Sequence, residues 1–170
     1  MKKILLFTLL VFIGFNSFGQ SNIKGYGFIS VEAGTSLISS SKLLTLRIER
    51  ASYKSFNWGF SVEHINYSSA KAFTKGFFHS ERNLLTGGVY GKLAVANTRN
   101  AAVNFHIGGN VGIDTGDDRF VFYPKIGFEQ SFWISPKLQW IFTEHIGYFF
   151  QDKYSRSFLP TINTGLKFSL

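Results

Sequence analysis

Ala101-Ala102-Val103-Asn104-Phe105-His106-Ile107-Gly108-Gly109-Asn110-Val111-Gly112-Ile113 is the stretch on which the fold turns. Its odd-numbered positions are Ala, Val, Phe, Ile, Gly, Val and Ile, while Asn104, His106, Gly108, Asn110 and Gly112 stand between them. A period of two puts one apolar and one polar surface on a strand, and no helical period fits it. A strand of this kind suits a barrel wall with lipid on one side and a polar interior on the other.

Working outward, the same alternation recurs in seven more segments, giving candidate strands at 26–37, 42–50, 56–67, 81–94, 101–113, 120–133, 137–149 and 160–170. Each has the length of about nine to eleven residues that a tilted strand needs to cross a hydrocarbon layer. Eight is also the even number that single-chain outer-membrane barrels require. In 42–50, Leu44, Leu46 and Ile48 oppose Thr45, Arg47 and Glu49; in 56–67, Phe56, Trp58, Phe60 and Val62 oppose Asn57, Gly59, Ser61 and Glu63. The fourth candidate is blurred by Leu84-Leu85 and by Gly87, Gly88 and Gly91, and the preferred register turns Leu85, Val89 and Leu93 outward and Thr86, Gly88 and Lys92 inward. In the seventh, Glu144 interrupts the outward series Leu138, Trp140, Phe142, Ile146 and Tyr148, and is placed near the upper rim.

The expected fold is therefore an all-β, eight-stranded antiparallel transmembrane β-barrel of the outer-membrane type. Its longer connections, near Ile38–Ser41, Ser68–Ser80, Asp114–Arg119 and Phe150–Leu159, lie on the extracellular side. Shorter turns near Ala51–Ser55, Val95–Asn100 and Ile134–Pro136 lie in the periplasm. The tryptophans Trp58, Trp133 and Trp140 gather toward the periplasmic end, and Tyr67, Phe77, Phe78, Phe120, Phe122, Tyr148 and Phe149 toward the other, making two aromatic girdles. The competing reading is a soluble β-sandwich or calycin-like barrel, which would have to explain eight apolar faces without a second population of polar outer positions.

Met1-Lys2-Lys3, the apolar run Ile4 to Phe15 and the small residues Ser17 and Gly19 read as a secretory signal peptide over 1–19, cut before Gln20. An uncleaved anchor is the alternative, although the run is short of the roughly twenty residues of a spanning helix. Residues 20–170 then form a single barrel domain, located in the outer membrane. Loss of Lys2 and Lys3 lowers the formal net charge from +8 to +6. Such a balance favours anionic surfaces such as lipopolysaccharide. The charges are scattered, without a basic cluster, so no direct contact with nucleic acid is expected. There is no cysteine. A small secreted domain without disulfides needs another closure, which a hydrogen-bonded barrel supplies.

The inward positions carry Glu32, Glu49, Glu63 and Glu129 against Arg47, Lys92, Lys125 and Lys167, four acids and four bases. An eight-stranded lumen is only wide enough for side chains. These groups are expected to pair with one another and with Asn104, His106, Asn110 and Gln139, closing the barrel rather than opening a channel. The catalytic candidates are His64, His79, His106 and His145, with His145 toward the outer rim and Ser155 and Ser157 in the loop beyond it. They lie on separate elements without a nucleophile and orienting acid at fixed spacing, so no catalytic, cofactor-binding or metal residue is assigned and no cofactor is expected. Asp114-Thr115-Gly116-Asp117-Asp118 lacks calcium-loop spacing and reads as a turn.

The stretches 103–113, 120–129 and 134–138, and the closing Pro160-Thr161-Ile162-Asn163-Thr164-Gly165-Leu166-Lys167-Phe168-Ser169-Leu170, resemble the TraO proteins of Bacteroidetes conjugative transposons. Gly19-Gln20 also suits secreted proteins of that phylum, and the last strand looks like those by which outer-membrane barrels are handed to the insertion machinery. The resemblance implies a non-enzymatic envelope component of a conjugative DNA transfer apparatus, with no active site to carry over. The partners it adds to membrane lipid and insertion machinery are other envelope proteins of that apparatus. Two alternatives stay open: a generic small outer-membrane structural or adhesion barrel of the PorT-like kind, and a rim enzyme acting on lipid or peptide.

Overall fold

Strands rich in Val, Ile, Thr and aromatic residues, with Gly, Asn or Asp at their ends, form sheet in preference to helix. The computed structural model describes residues 26–37, 40–53, 55–68, 81–98, 100–115, 118–150 and 158–170, and the proposed signal peptide lies outside them. Eight strands follow in chain order: β1 Gly27–Ser36, β2 Ser40–Tyr53, β3 Phe56–Ser68, β4 Glu81–Asn97, β5 Ala101–Asp114, β6 Arg119–Ser135, β7 Leu138–Tyr148 and β8 Phe158–Ser169. Each pairs antiparallel with its neighbours in sequence, and β1 closes on β8. All eight candidate strands are present, several of them longer than the alternation indicated, because pairing carries on past the apolar band into the polar rims.

Closure carries a fixed stagger. The in-register path Ser36, Thr161, His145, Gly127, His106, Lys92, Asn57, Ala51 runs once round the wall. Ala51 N–H then donates to Tyr26 O, ten residues below the starting point on the first strand. A shear of this size tilts the strands steeply and leaves an interior that side chains can fill.

Both ends of the described barrel meet at one rim, where Leu170 N–H donates to Gly27 O. At this terminal rim the strands are joined through 54–55, 98–100 and 136–137; at the opposite, loop rim the intervals are 37–39, 69–80, 115–118 and 149–157. Three of the loop-rim intervals are longer than any at the terminal rim, as expected, while 37–39 is as short as 98–100. Of the expected Asp114–Asp118 turn, Asp114 is the buried last residue of β5 and 115–118 is the interval before β6, with Asp118 at φ 50°.

Side-chain direction also follows the expected parity. Leu85, Val89 and Leu93 are outward and about half exposed, whereas Thr86 and Lys92 are buried, so the preferred register of β4 holds. Ala101 and Val103 share the outward parity of Phe105 and Ile107 yet are buried, standing opposite Phe132 and Gln130 on β6. Trp58 and Trp140 face outward near the terminal rim, Trp140 against Phe132 at 6.0 Å between ring centroids. Tyr148, Phe150, Phe158 and Phe122 cluster near the loop rim at 4.9–5.7 Å. Phe149 departs from the expected girdle. It is turned into the lumen, 4% exposed, with its ring 4.6 Å from that of Tyr123. The side chain of Tyr67 and residues Phe77 and Phe78 lie outside what the structure describes.

Glycines on the inner surface do steric work. A Cβ on Gly127 would meet Glu144 O at 1.9 Å and His145 Cα at 2.6 Å, whereas one on the outward Gly109 would meet nothing nearer than Phe122 Cε2 at 3.6 Å. Inward normals converge in a tightly coiled wall, so the missing side chain lets neighbouring backbones approach. Gly127→Ala is expected to destabilise the barrel by about 1–3 kcal/mol, as overpacking does, and Gly109→Ala by less than about 0.5 kcal/mol. Urea titrations scored by the folded band on unboiled gels measure both.

Candidate functional site

The lumen concentrates the charged side chains that alternation predicts there. Glu32, Arg47, Glu49, Glu63, Lys92, Lys125, Glu129 and Lys167 are all buried, none more than 4% exposed. Strand parity is the cause: the residues on either side of each along the chain point to the opposite face.

Six of the eight side chains form one connected network, and Glu63 and Lys125 form a separate pair. Arg47 Nη1 reaches Glu32 Oε1 at 3.0 Å and Glu129 Oε2 at 3.2 Å. Glu129 also receives Lys92 and, at 2.9 Å, Lys167; the two lysines continue to Glu49 at 2.5 and 3.2 Å. Asn57 Nδ2 donates to Glu49 at 2.6 Å, and Thr143 and Ser30 hydroxyls donate to Glu32 at 3.0 and 3.2 Å. Tyr90 lies beneath two of the cations, its ring centroid 5.5 Å from Arg47 Cζ and 5.0 Å from Lys92 Nζ. Nearer the loop rim, Lys125 pairs with Glu63, whose other oxygen accepts from Tyr123 OH at 2.8 Å. Asn110 and Thr86 complete that group around the Tyr123 hydroxyl at 3.2 and 3.1 Å.

These four acids and four bases thus balance, and each has an opposite partner; Asp114, at the loop-rim end of β5, is a further buried carboxyl outside the set. In a region that excludes bulk water a lone charge costs several kcal/mol, while a well-bonded pair comes close to break-even.

Two features of the lumen differ from the sequence reading. His106 makes no hydrogen bond; it packs edge-on against the Tyr90 ring at 5.0 Å and near the His145 ring at 6.4 Å. Beyond the Glu63–Lys125 pair the inward face turns apolar: Leu43, Ile65, Leu84, Val121, Tyr123 and Phe149 form a buried cluster with Leu159 against it. The doublets Leu43-Leu44 and Leu84-Leu85 were its signal, since one member of each must point inward whatever the register. This cluster caps the charged layer toward the loop rim.

The histidines do not come together as a catalytic set. His64 is exposed on the outward face of β3, while His106 and His145 are buried in the lumen. His145 is therefore enclosed, not presented at the outer rim, with the Tyr123–Phe149 stack farther out. His79, Ser155 and Ser157 lie outside the described residues. Among the described residues no three His, Cys, Asp or Glu are grouped to hold a metal ion.

The outer surface is the complement of this interior. Val31, Leu46, Ile48, Phe60, Val62, Ile107, Val111 and Ile126 are each 46–55% exposed, on a continuous band round the wall. A soluble monomer rarely exposes more than a few hundred Å² of contiguous apolar surface. Hydrocarbon is the solvent that suits it.

No family model matches the chain, and no curated protein matches it. Among solved structures it is similar to a de novo designed transmembrane β-barrel, with a TM-score of 0.56 at 11% identity over 89% of this chain and 100% of the other. It also aligns with the crystal structure of Neisserial surface protein A, with a TM-score of 0.47 at 11% identity over 85% and 95% of the two chains. The first likeness shows the fold, an eight-stranded transmembrane-type barrel. None of these comparisons supports the resemblance to TraO, which stands on the quoted segments alone.

Removing one member of an enclosed pair leaves its partner charged and unmatched. Lys125→Met is expected to cost about 3–5 kcal/mol, and the double variant Glu63→Leu with Lys125→Met less than that single change. Urea midpoints of the three proteins in the same detergent measure the difference.

Proposed function

We propose that this chain is a small structural barrel of the outer membrane, sealed across its middle, that holds its loop rim at the cell surface as an anchor or adhesion platform. The observation that carries this reading is the pairing of four acids with four bases in the middle of the lumen beneath an apolar cap. A conducting pore needs a water-filled path, and here the space is taken by salt bridges and by the cluster around Tyr123. A rim enzyme needs an accessible base, and His145 is enclosed. Membrane lipid and lipopolysaccharide would contact the outer band, and barrel insertion machinery would place the chain there.

A narrower role, as an envelope component of a conjugative transfer apparatus, is supported by the TraO-like segments between residues 100 and 170. Transfer genes on either side of the coding sequence would favour it, and their absence would leave the general structural role.

On this reading the protein extracts with outer-membrane detergents, shifts in mobility when left unboiled, and gives no steady conductance in a planar bilayer. Recovery in the soluble periplasmic fraction would overturn the membrane assignment, and stable ohmic steps would overturn the sealed lumen.

A further inference from the structure

Glu144 stands on the outward face of β7, four residues from Trp140 toward one rim and four from Tyr148 toward the other. It is therefore at the middle of the lipid-facing band, not near the upper rim where the sequence reading put it. Its register neighbours are Phe128 on β6 and Ile162 on β8, with Phe142 and Ile146 on either side along its own strand. It borders a shallow depression of about 260 Å³ lined by Phe105, Ile126, Phe128, Ile146, Pro160 and Ile162. Its carboxyl group makes no ion pair and no hydrogen bond among the described residues.

A carboxyl group at this depth is costly unless something bonds to it, and lipid chains offer no donor. The partner must therefore be protein. Lys42 and Arg50 face outward toward opposite ends of β2, and Arg119 begins β6 at the loop rim. His64 is outward on β3, on the far side of the barrel. Thr164 lies close to the depth of Glu144, but its hydroxyl is engaged by the Ile141 carbonyl at 3.2 Å and by Trp140 Nε1 at 2.7 Å. Thr35 on β1, opposite Ile162, gives its hydroxyl proton to the Ser41 carbonyl at 2.7 Å, so none of these described groups is a free donor to Glu144.

A second copy does. All copies enter the membrane in one direction, so a two-fold axis along the bilayer normal sets each residue against itself at equal depth. A protonated carboxyl is both donor and acceptor, which makes Glu144 complementary to its own image. We propose that the β6–β8 face is a homodimer interface, with the two Glu144 carboxyl groups hydrogen-bonded to each other at mid-bilayer. The neighbouring depression gives apolar side chains of the second barrel room to seat. The proposal rests on the membrane reading above.

The absence of cysteine makes the test direct. Phe142→Cys and Ile146→Cys, each with Glu144 kept, are oxidised in lipid vesicles beside Val89→Cys on the opposite wall. The first two are expected to give disulfide dimers and the third background. Adding Glu144→Leu to either should lower the dimer yield by about tenfold, the change that loss of a hydrogen bond within a bilayer brings. Glu144→Gln should keep it, since an amide is also donor and acceptor. Photobleaching of labelled wild-type protein, which needs no change at the interface, should show two steps and Glu144→Leu one. Glu144→Leu places an apolar residue against lipid and is expected to fold. Yields equal to that of Val89→Cys, or single steps for the wild type, overturn the pairing. Loss of the unboiled gel shift in wild-type protein would instead overturn the membrane reading.

Discussion

A closed sheet of eight strands with a shear of ten has no room for bulk water at its centre, so every charge that points inward must meet its opposite there. This constraint organises the molecule. Glu129 on β6 receives Arg47 from β2, Lys92 from β4 and Lys167 from β8, and so ties together walls that share no backbone hydrogen bonds with β6. The network also specifies register. A slip of one residue in any of the six strands that carry these charges would turn that strand's charges into hydrocarbon and its apolar side chains into the lumen, two penalties from a single error.

The outer face obeys the converse rule. Each strand satisfies its backbone groups on both sides because β1 closes on β8, leaving no edge to face lipid. With that settled, apolar side chains can cover the wall without the disulfides that a small secreted domain of this size would otherwise call for. The inner glycines belong to the same balance: at Gly127 the neighbouring strand is too near for any side chain, and the wall coils more tightly for it. Charged middle, apolar cap and lipid-facing band are thus consequences of alternation wrapped round a narrow cylinder.

The fold was legible because period-two alternation reports directly on which way a side chain points. It brought out eight strands, the short and long rims, and the eight mid-lumen charges, even in β4, where Leu85, Val89 and Leu93 against Thr86, Gly88 and Lys92 picked the register. Less was legible wherever a property depends on neighbours from other strands. That Leu43, Ile65, Leu84 and Val121 meet Tyr123 and Phe149 in one cap is a fact of register between β2, β3, β4 and β6, invisible along any single strand. The inward turn of Phe149 and the isolation of His106 from hydrogen-bond donors and acceptors have the same origin.

What the sequence determined by itself was orientation: one face of each strand apolar, the other polar, with four acids and four bases in the mid-strand positions of the polar side. What only the tertiary structure decided was adjacency, because strand tilt and shear set which residues of distant strands share a depth. Glu144 shows the difference, since its outward direction follows from its place between His145 and Thr143, whereas its position at mid-wall between Phe128 and Ile162 follows from the stagger of three strands.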